Sequence, residues 1–104
     1  MKPLANGAPA ELVIHLPSTV GLEIVTWVRN EVFEAPPETM AVVDFSHVRD
    51  CHAWVLAALV SSIRTVKGPL FKARGLTNQQ LRMLLYFRIQ PEALGLTRSS
   101  TTDI

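Results

Sequence analysis

Four side chains that could bind a metal or transfer a proton lie in the first half of the chain: His15, His47, Cys51 and His52. Imidazole and thiolate groups are the usual ligands of zinc, and a thiolate beside a histidine can act as a nucleophile. Their spacing matches no standard metal-binding pattern, and each side chain also fits an ordinary turn or a half-buried position. We therefore expect neither a metal site nor a catalytic residue among them.

Cys51 has the strongest indication of reactivity in this group. A position near the start of a helix would lower the pKa of its thiol. His52 is adjacent in sequence and would point elsewhere, so only His47 or His15 could act as its base. We expect Cys51 to be a small buried residue instead. A metal or thiol enzyme that uses Cys51 and the histidines is kept as the alternative from another functional class.

Other enzyme chemistry finds no support in the residue types. The five glycines are separated from one another, so none belongs to a phosphate-binding loop. A carboxylate pair for hydrolysis would have to consist of Asp44 and Asp50, and no other feature supports that pair. We expect a protein that is not an enzyme and that carries no cofactor.

The elements that position these residues follow from alternating hydropathy patterns. Short apolar runs alternate with stretches of helical periodicity, and proline or glycine ends each helix. The β-α-β-α-β-α order predicts an α/β fold with right-handed crossovers, a small, mostly parallel sheet and helices packed on it. A further strand could come from residues 1–10 or 92–99. The predicted strands are residues 11–16, 40–45 and 70–73, and the predicted helices are residues 19–35, 52–67 and 77–89.

Each predicted helix has an apolar stripe that should face the core. The carboxyl ends of parallel strands share one edge, so His15, His47 and the turn before the second helix should lie there. The predicted stripes are Val20, Ile24, Val25, Val28 and Val32; then Val55, Leu56, Leu59, Ile63 and Val66; then Leu81, Leu84, Leu85 and Phe87.

Length and charge indicate one domain, residues 11–96, between a flexible arm of residues 1–10 and a polar tail of residues 97–104. Three basic and seven acidic residues fall in residues 1–60, against seven basic and two acidic in residues 61–104. We expect the charged residues of both halves to lie on solvated surfaces. They could also attract a charged partner, or bring the acidic half of one copy against the basic half of another. Few aromatic residues accompany the basic ones, so we expect no nucleic-acid partner.

Membrane and export signals are not predicted. The longest apolar run, residues 53–60, is far shorter than the ~20 residues that span a bilayer. The first ten residues have no apolar segment of the kind that a secretory signal needs. A single cysteine fits a reducing compartment, so we expect a cytoplasmic protein without an integral membrane segment.

The segment of residues 42–59 resembles the signature of the sulfate transporter and anti-sigma factor antagonist (STAS) domain. In that family a buried strand ends in Asp-Leu-Ser-Gly-Val, and a short turn then opens a long helix. The resemblance covers residues 11–96 and is closest to small stressosome scaffolds and anti-sigma factor antagonists. The matching residues are Asp44-Phe45-Ser46-His47-Val48, then Leu56, Ala58 and Leu59, and further on Gly75-Leu76 with Leu81, Leu84, Leu85 and Ile89.

The chain departs from the family pattern at the turn where phosphorylation switches of this family carry a Ser or Thr. His52 replaces the Asp of that turn, Ala53 and Trp54 replace its two hydroxyl residues, and Val55 replaces its Gly. Shifting the alignment puts Cys51 and His52 at the acceptor positions, again without a hydroxyl. The resemblance therefore implies a protein-interaction module that is not regulated by Ser or Thr phosphorylation at this turn.

We expect the partner surface to lie around residues 49–61, with Trp54 as its anchor, because Trp is enriched among binding hot spots. The alternative for Trp54 is packing on its own sheet or under the arm, whereas Trp27 is expected at the boundary of its helix stripe. The neighbours expected to share the partner surface are Arg49, Asp50, Ala53, Ala57 and Ser61.

The resemblance implies three possible partners: an anti-sigma kinase, a related STAS protein, or a second copy in a homodimer. The alternative is an accessory subunit on the ATPase of a membrane transporter. In that role the basic stretch of residues 64–88 would face acidic protein or lipid headgroups.

Overall fold

The computed structural model describes residues 10–95, and over this range the chain folds as an α/β domain in the order β-α-β-α-β-α. The predicted arm and tail, apart from Ala10, lie outside the described residues. Short 3-10 helices cover Gly68–Leu70 and Pro91–Leu94, so the latter segment is not the additional strand that the sequence left open. The strands are β1 Glu11–His15, β2 Met40–Asp44 and β3 Phe71–Arg74, and the helices are α1 Leu22–Glu34, α2 Ala53–Lys67 and α3 Asn78–Tyr86.

The three described strands form one parallel sheet in the order β1-β2-β3, as predicted. Each crossover steps in the same direction, and right-handed crossovers then place the helices on one face of the sheet. On that face α1 packs against α2, and α2 packs against α3. The core lies between this helical layer and the sheet.

The strand sequences explain which face is covered. Val42 and Val43 are both buried, so the central strand β2 is apolar on both faces, as its sequence predicted. In β3 the residues alternate, with Phe71 and Ala73 in the core and Lys72 and Arg74 exposed. The face opposite the helices is therefore partly open and ends in polar side chains at the carboxyl edge.

The core stripe of α1 agrees with the sequence, but that of α2 needs a correction at its end. Val66, predicted to face the core, is 41 % exposed, and Lys67 is only 6 % exposed. The Lys67 ammonium donates hydrogen bonds to the carbonyl oxygens of Pro36, Pro37 and Thr39, at 3.2, 3.3 and 2.6 Å. The three hydrogen bonds compensate for the cost of burying the charged ammonium. Lys67 is therefore buried at this turn, although the apolar periodicity of the helix predicted Val66 there.

Helix α3 ends at Tyr86, three residues earlier than predicted. Thr77 begins it as the N-cap, and its hydroxyl accepts from the Gln80 N–H in a capping box. Leu84 is buried as predicted, whereas the predictions that Leu85 and Phe87 face the core are wrong, because both side chains are exposed. The early end of the helix turns Phe87 away from the core, and Ile89 is buried after it.

Gly75 makes the turn that brings the end of β3 against the turn after β2. Its φ of +81° lies in the region that side-chain residues avoid, and a Cβ there would lie 2.6 Å from the Ser46 nitrogen. The Phe45 N–H also donates to the Arg74 carbonyl at 2.8 Å. Only glycine allows this approach of the two strand ends.

Candidate functional site

Backbone hydrogen bonds join the two loops that lead into α1 and α2. The N–H groups of Arg49 and Asp50 both donate to the Ser18 carbonyl, at 2.8 and 2.9 Å. The Val20 N–H donates to the Asp50 carbonyl at 2.9 Å, and Thr19 forms a parallel bridge with Asp50. These contacts fix the path of the chain just before α2, so the first turn of that helix has a defined position on the domain.

Trp54 occupies the second position of α2 and is 52 % exposed. Its neighbours on the helix, Val55 and Leu56, are buried and direct this turn onto the sheet, which leaves the indole outside. Ser61, two turns further along, is exposed on the same side, and Ala58 between them is half-buried. The structure thus places Trp54 at the surface of its own monomer, rather than folded onto the sheet.

The other predicted surface residues divide between surface and core. Arg49 and Asp50 are exposed on the loop before the helix, and Ala53 is half-buried at its start. Ala57, predicted to share the surface with Trp54, is only 7 % exposed and belongs to the core cluster. That prediction is wrong because the core side of α2 is wide enough to include Ala57 at its edge.

An open groove of about 760 Å³ runs between the first turn of α2 and the outer side of α3. Its lining is mainly apolar, with Arg82 as the charged residue and Gln79 as a further polar one. Tyr86 and Leu85, which α3 presents outward, form exposed parts of its wall. The lining residues are Ala53, Gln79, Arg82, Met83, Leu85 and Tyr86.

Sequence reasoning missed the contribution of α3 to this surface. The sequence predicts that Leu85 faces the core, and it assigns no role to Met83 or Tyr86. Large apolar or aromatic side chains occupy positions 83–87 in succession, and a helix cannot direct all of them to the core. That crowding of large side chains next to the buried Leu84 was the available signal.

The start of α2 lacks the hydroxyl chemistry found in phosphorylation switches. His52 is the N-cap residue, in an extended conformation, and its side chain makes no capping hydrogen bond within the described residues. The first helical residues, Ala53 and Trp54, carry no oxygen that could cap the helix or accept phosphate. This helix end therefore presents an exposed indole and no side-chain hydroxyl in its first two residues.

Cys51 is half-buried in the turn before α2. Burial raises the pKa of its thiol above the ordinary value of 9.0, so the sequence-based prediction of a lowered pKa is wrong. The cause is desolvation, which disfavours the charged thiolate in this half-buried turn. The thiol lies 3.5 Å from the His52 carbonyl as a weak donor, and it is protonated at neutral pH.

The candidate metal ligands do not come together. Within residues 10–95, no group of three or more His, Cys, Asp or Glu side chains is arranged to hold a metal ion. His47 and His52 are exposed on the loop after β2, whereas His15 at the end of β1 bonds to Asp44.

His15, Asp44 and Arg74 form a polar row that the sequence did not predict. His15 Nδ1 lies 2.9 Å from Asp44 Oδ2, and Arg74 Nε lies 3.9 Å from the same oxygen. Hydrogen bonds from the Ser46 side chain and N–H hold the pKa of Asp44 below its usual range, with smaller contributions from His15 and Arg74. Each of the three residues ends a strand, and that shared position was the signal available in the sequence.

Two further findings bear on function. No helix within residues 10–95 combines the length and apolar character needed to cross a membrane. Comparisons with protein-family models, with curated proteins and with solved structures find no match to this chain. The functional inference therefore rests on the geometry of the surface formed by Trp54 and the groove between α2 and α3.

Proposed function

We propose that this chain is a non-enzymatic protein-interaction module of the STAS type, resembling an anti-sigma factor antagonist or stressosome scaffold that lacks the phosphoacceptor. The observation that carries the proposal is the exposed Trp54, which directly follows Ala53, a residue that lines the groove between α2 and α3. We refer to Trp54 and the groove lining together as the docking surface. The order of strands and helices agrees with the resemblance at residues 42–59.

The composition of the docking surface supports binding to another protein. Trp and Tyr bring large apolar areas and a polar atom each, and few rotatable bonds are frozen when they are covered. Trp54 and Tyr86 supply such groups here, and Leu85 adds further exposed apolar area to the groove wall. Exposed side chains of this size in adjacent positions are typical of the centre of an interface.

Charges around the docking surface indicate the character of the partner. Arg82 lies in the groove, and within residues 10–95 it has no ion-pair partner. A partner that places a carboxylate opposite Arg82 would form a charge-assisted hydrogen bond in a partly desolvated site. Arg49 and Asp50 extend the rim beyond the start of α2, where charges influence specificity and association rate more than affinity.

The partner that fits this proposal is an anti-sigma kinase, a related STAS protein or a second copy, in the cytoplasm. Because Ala53 and Trp54 occupy the positions of the family hydroxyls, phosphorylation at the start of α2 would not control the complex. Binding at this turn is instead governed by concentration and by competition among partners.

Replacing Trp54 with alanine tests the proposed anchor. Purified anti-sigma kinases and STAS proteins from the same organism are titrated by calorimetry with the unaltered chain and with Trp54→Ala. For the partner that binds, we expect Trp54→Ala to weaken the complex by about 2 kcal/mol or more, roughly a 30-fold rise in Kd. The thermal stability of the chain should change little, because the indole is exposed.

Trp27→Ala is the matched control for this titration. Trp27 is also helical and is 45 % exposed, but it lies on α1 and outside the docking surface. It should bind the partner as the unaltered chain does. Equal affinities for the unaltered chain and Trp54→Ala would remove Trp54 as anchor, and a loss with Trp27→Ala alone would move the interface to α1.

A further inference from the structure

The outer edge of β1 is unpaired among the described residues. β1 is the first strand in the order β1-β2-β3, and no described strand lies beyond it. The Leu16 N–H, just after β1, donates to the Asp44 carbonyl at 3.1 Å, so the even-numbered residues of β1 bond to β2. Alternate residues of a strand direct both of their backbone groups to the opposite side. The N–H and C=O groups of Glu11, Val13 and His15 therefore point to the free edge.

The two edges of the sheet differ in how they are protected. At the β3 edge the Pro91–Leu94 turn packs against the strand, and a Cβ on Gly95 would lie 2.9 Å from the Phe71 carbonyl oxygen. β3 also carries the exposed Lys72 and Arg74, charges of the kind that keep an edge from pairing. β1 has no lysine and no proline, and its five residues stay in continuous register with β2, without a bulge. Such an edge is a template for another strand.

The side chains of β1 are complementary to a second copy of the same strand in antiparallel orientation. Glu11, Val13 and His15 are exposed and, as alternate residues, project from the open face of the sheet. When two copies pair around Val13, Glu11 of each copy lies opposite His15 of the other, and cross-strand pairs of opposite charge stabilise a sheet. His15 Nδ1 bonds to Asp44 on β2, so Nε2 faces away from β2. The imidazolium form can therefore donate to Asp44 and to the second copy's Glu11 at once.

Val13 supplies an apolar centre for this pairing. Its register partner on β2 is Val42, and parallel partners project from the same face. Val42 is 5 % exposed, whereas Val13 at the edge is 36 % exposed. With Val13 on a two-fold axis, these two residues of both copies form a continuous apolar row across the joined sheets. The axis is perpendicular to the sheet, so both helical layers lie on the same face and neither lies between the strands.

We propose that the edge of β1 is a self-association site, which pairs in antiparallel orientation with β1 of a second copy around Val13. The backbone groups of Glu11, Val13 and His15 exchange hydrogen bonds with those of the second copy's His15, Val13 and Glu11. The contact is isologous, so it closes at the dimer and leaves neither β1 edge free for further copies. It does not use the docking surface, and the inference is therefore independent of the proposed function.

Single cysteines placed along β1 test both the contact and its register. Cys51 is first replaced with alanine, so that no other thiol is present. In the proposed dimer the two Val13 Cα atoms are about 5.5 Å apart, within the range that a disulfide spans. The two Glu11 Cα atoms are about 14 Å apart, because they are displaced along the strands by the distance from Glu11 to His15.

The expected disulfides follow from these distances. With oxidised glutathione as the oxidant, Val13→Cys should form a linked dimer about tenfold faster than Glu11→Cys or His15→Cys alone, because only its thiols are held together. An equimolar mixture of Glu11→Cys and His15→Cys should instead form the mixed dimer. Non-reducing electrophoresis and mass spectrometry identify the products.

Sedimentation velocity measures the association of the unaltered chain at concentrations up to about 1 mM. Val13→Lys places two ammonium groups opposite each other at the axis, so the association constant should fall about tenfold or more. Val13→Thr is the matched control, because it keeps a β-branched side chain without a charge and should keep the association. Circular dichroism checks that both variants fold.

The outcomes distinguish the β1 edge from the docking surface. A chain that stays monomeric at the highest concentration, equal disulfide formation in the three single-cysteine proteins, or a dimer that Val13→Lys leaves intact would overturn the proposal. A dimer that Trp54→Ala abolishes and Val13→Lys does not would belong to the docking surface. If Val13→Lys does not fold, the pattern of disulfides among the single-cysteine proteins decides.

Discussion

At the scale of single residues, Arg88 is the one non-glycine residue within residues 10–95 that has a positive φ. Its φ is +64°, and it follows the C-cap Phe87 of α3. The Ile89 N–H bonds the Leu84 carbonyl at 3.0 Å and the Arg88 N–H bonds the Leu85 carbonyl at 2.8 Å, which together make a Schellman motif. Glycine is the usual residue at this position, because it has no Cβ to strain.

Arg88→Gly should therefore stabilise the domain. We expect the free energy of unfolding to rise by about 1 kcal/mol, since the strain of a left-handed residue is removed and only part of the gain is lost to chain entropy. Urea denaturation measures it. Arg82→Gly is the control, an exposed arginine inside the same helix, and it should lower the stability by about 1 kcal/mol. A loss of stability in both variants would show that Arg88 makes contacts that outweigh its strain.

Asp44 gives the domain a predictable acid response. Its pKa is held below 3.8, the ordinary value, by the bonds to Ser46 and to a lesser extent by His15. A carboxyl group with a lowered folded-state pKa contributes stability above its unfolded-state pKa and loses that contribution as the pH falls through the folded value. The unfolding free energy should therefore fall more steeply below pH 3.8 for the unaltered chain than for Asp44→Asn. Unfolding free energies are measured by urea titration at a series of acidic pH values. If the two proteins lose stability with the same slope below pH 3.8, Asp44 has no such effect.

At the scale of elements, the turn between β3 and α3 depends on a glycine contact that the sequence alone does not reveal. Gly68 and Gly75 both have positive φ, but only Gly75 has an atom in the way of a Cβ. Gly68→Ala should cost about 1–2 kcal/mol of stability through its backbone conformation alone. Gly75→Ala should cost about 3 kcal/mol or more, because its methyl group would also collide with the backbone of Ser46.

The pair of glycine variants is compared by thermal and urea unfolding. The loss of unfolding free energy in Gly75→Ala, minus the loss in Gly68→Ala, gives the cost of the steric contact at Ser46 without the cost of a positive φ. Equal destabilisation would contradict the close approach of the two strand ends, and with it the position of the turn that follows β2.

The sequence predicted the elements well where apolar periodicity and proline coincide. Pro36-Pro37 ended α1 and Gly68-Pro69 ended α2 close to the observed bounds, because a proline cannot continue the hydrogen-bond ladder. The predictions of buried residues failed where a tertiary contact outweighed the apolar periodicity of a helix. Lys67 is buried in place of Val66 because three carbonyl oxygens from a distant loop surround its ammonium.

The candidate site could be predicted only in part, for a related reason. Exposure of Trp54 follows from the periodicity of its own helix, which the sequence contains. The groove requires a second helix, and the end of α3 is set by the left-handed Arg88, which no residue-type preference indicates. The bond between His15 and Asp44 depends on strand register, which joins residues 29 positions apart.

At the scale of the whole molecule, the docking surface and the polar row lie on opposite faces of the sheet. The helical layer carries Trp54 and the groove, and the open face carries His15, Asp44 and Arg74. The two faces can therefore be tested separately.

The most direct measurement of the docking function is acrylamide quenching of Trp54 fluorescence in the presence of the bound partner. Trp27→Phe leaves Trp54 as the one indole of this chain, and Trp54→Phe leaves Trp27 as the control. The partner must lack tryptophan or be labelled so that its own emission is excluded. Its binding should protect Trp54 from quenching in Trp27→Phe and leave Trp27 as accessible as before in Trp54→Phe. A saturated complex in which acrylamide reaches Trp54 as freely as in the isolated chain would contradict the account.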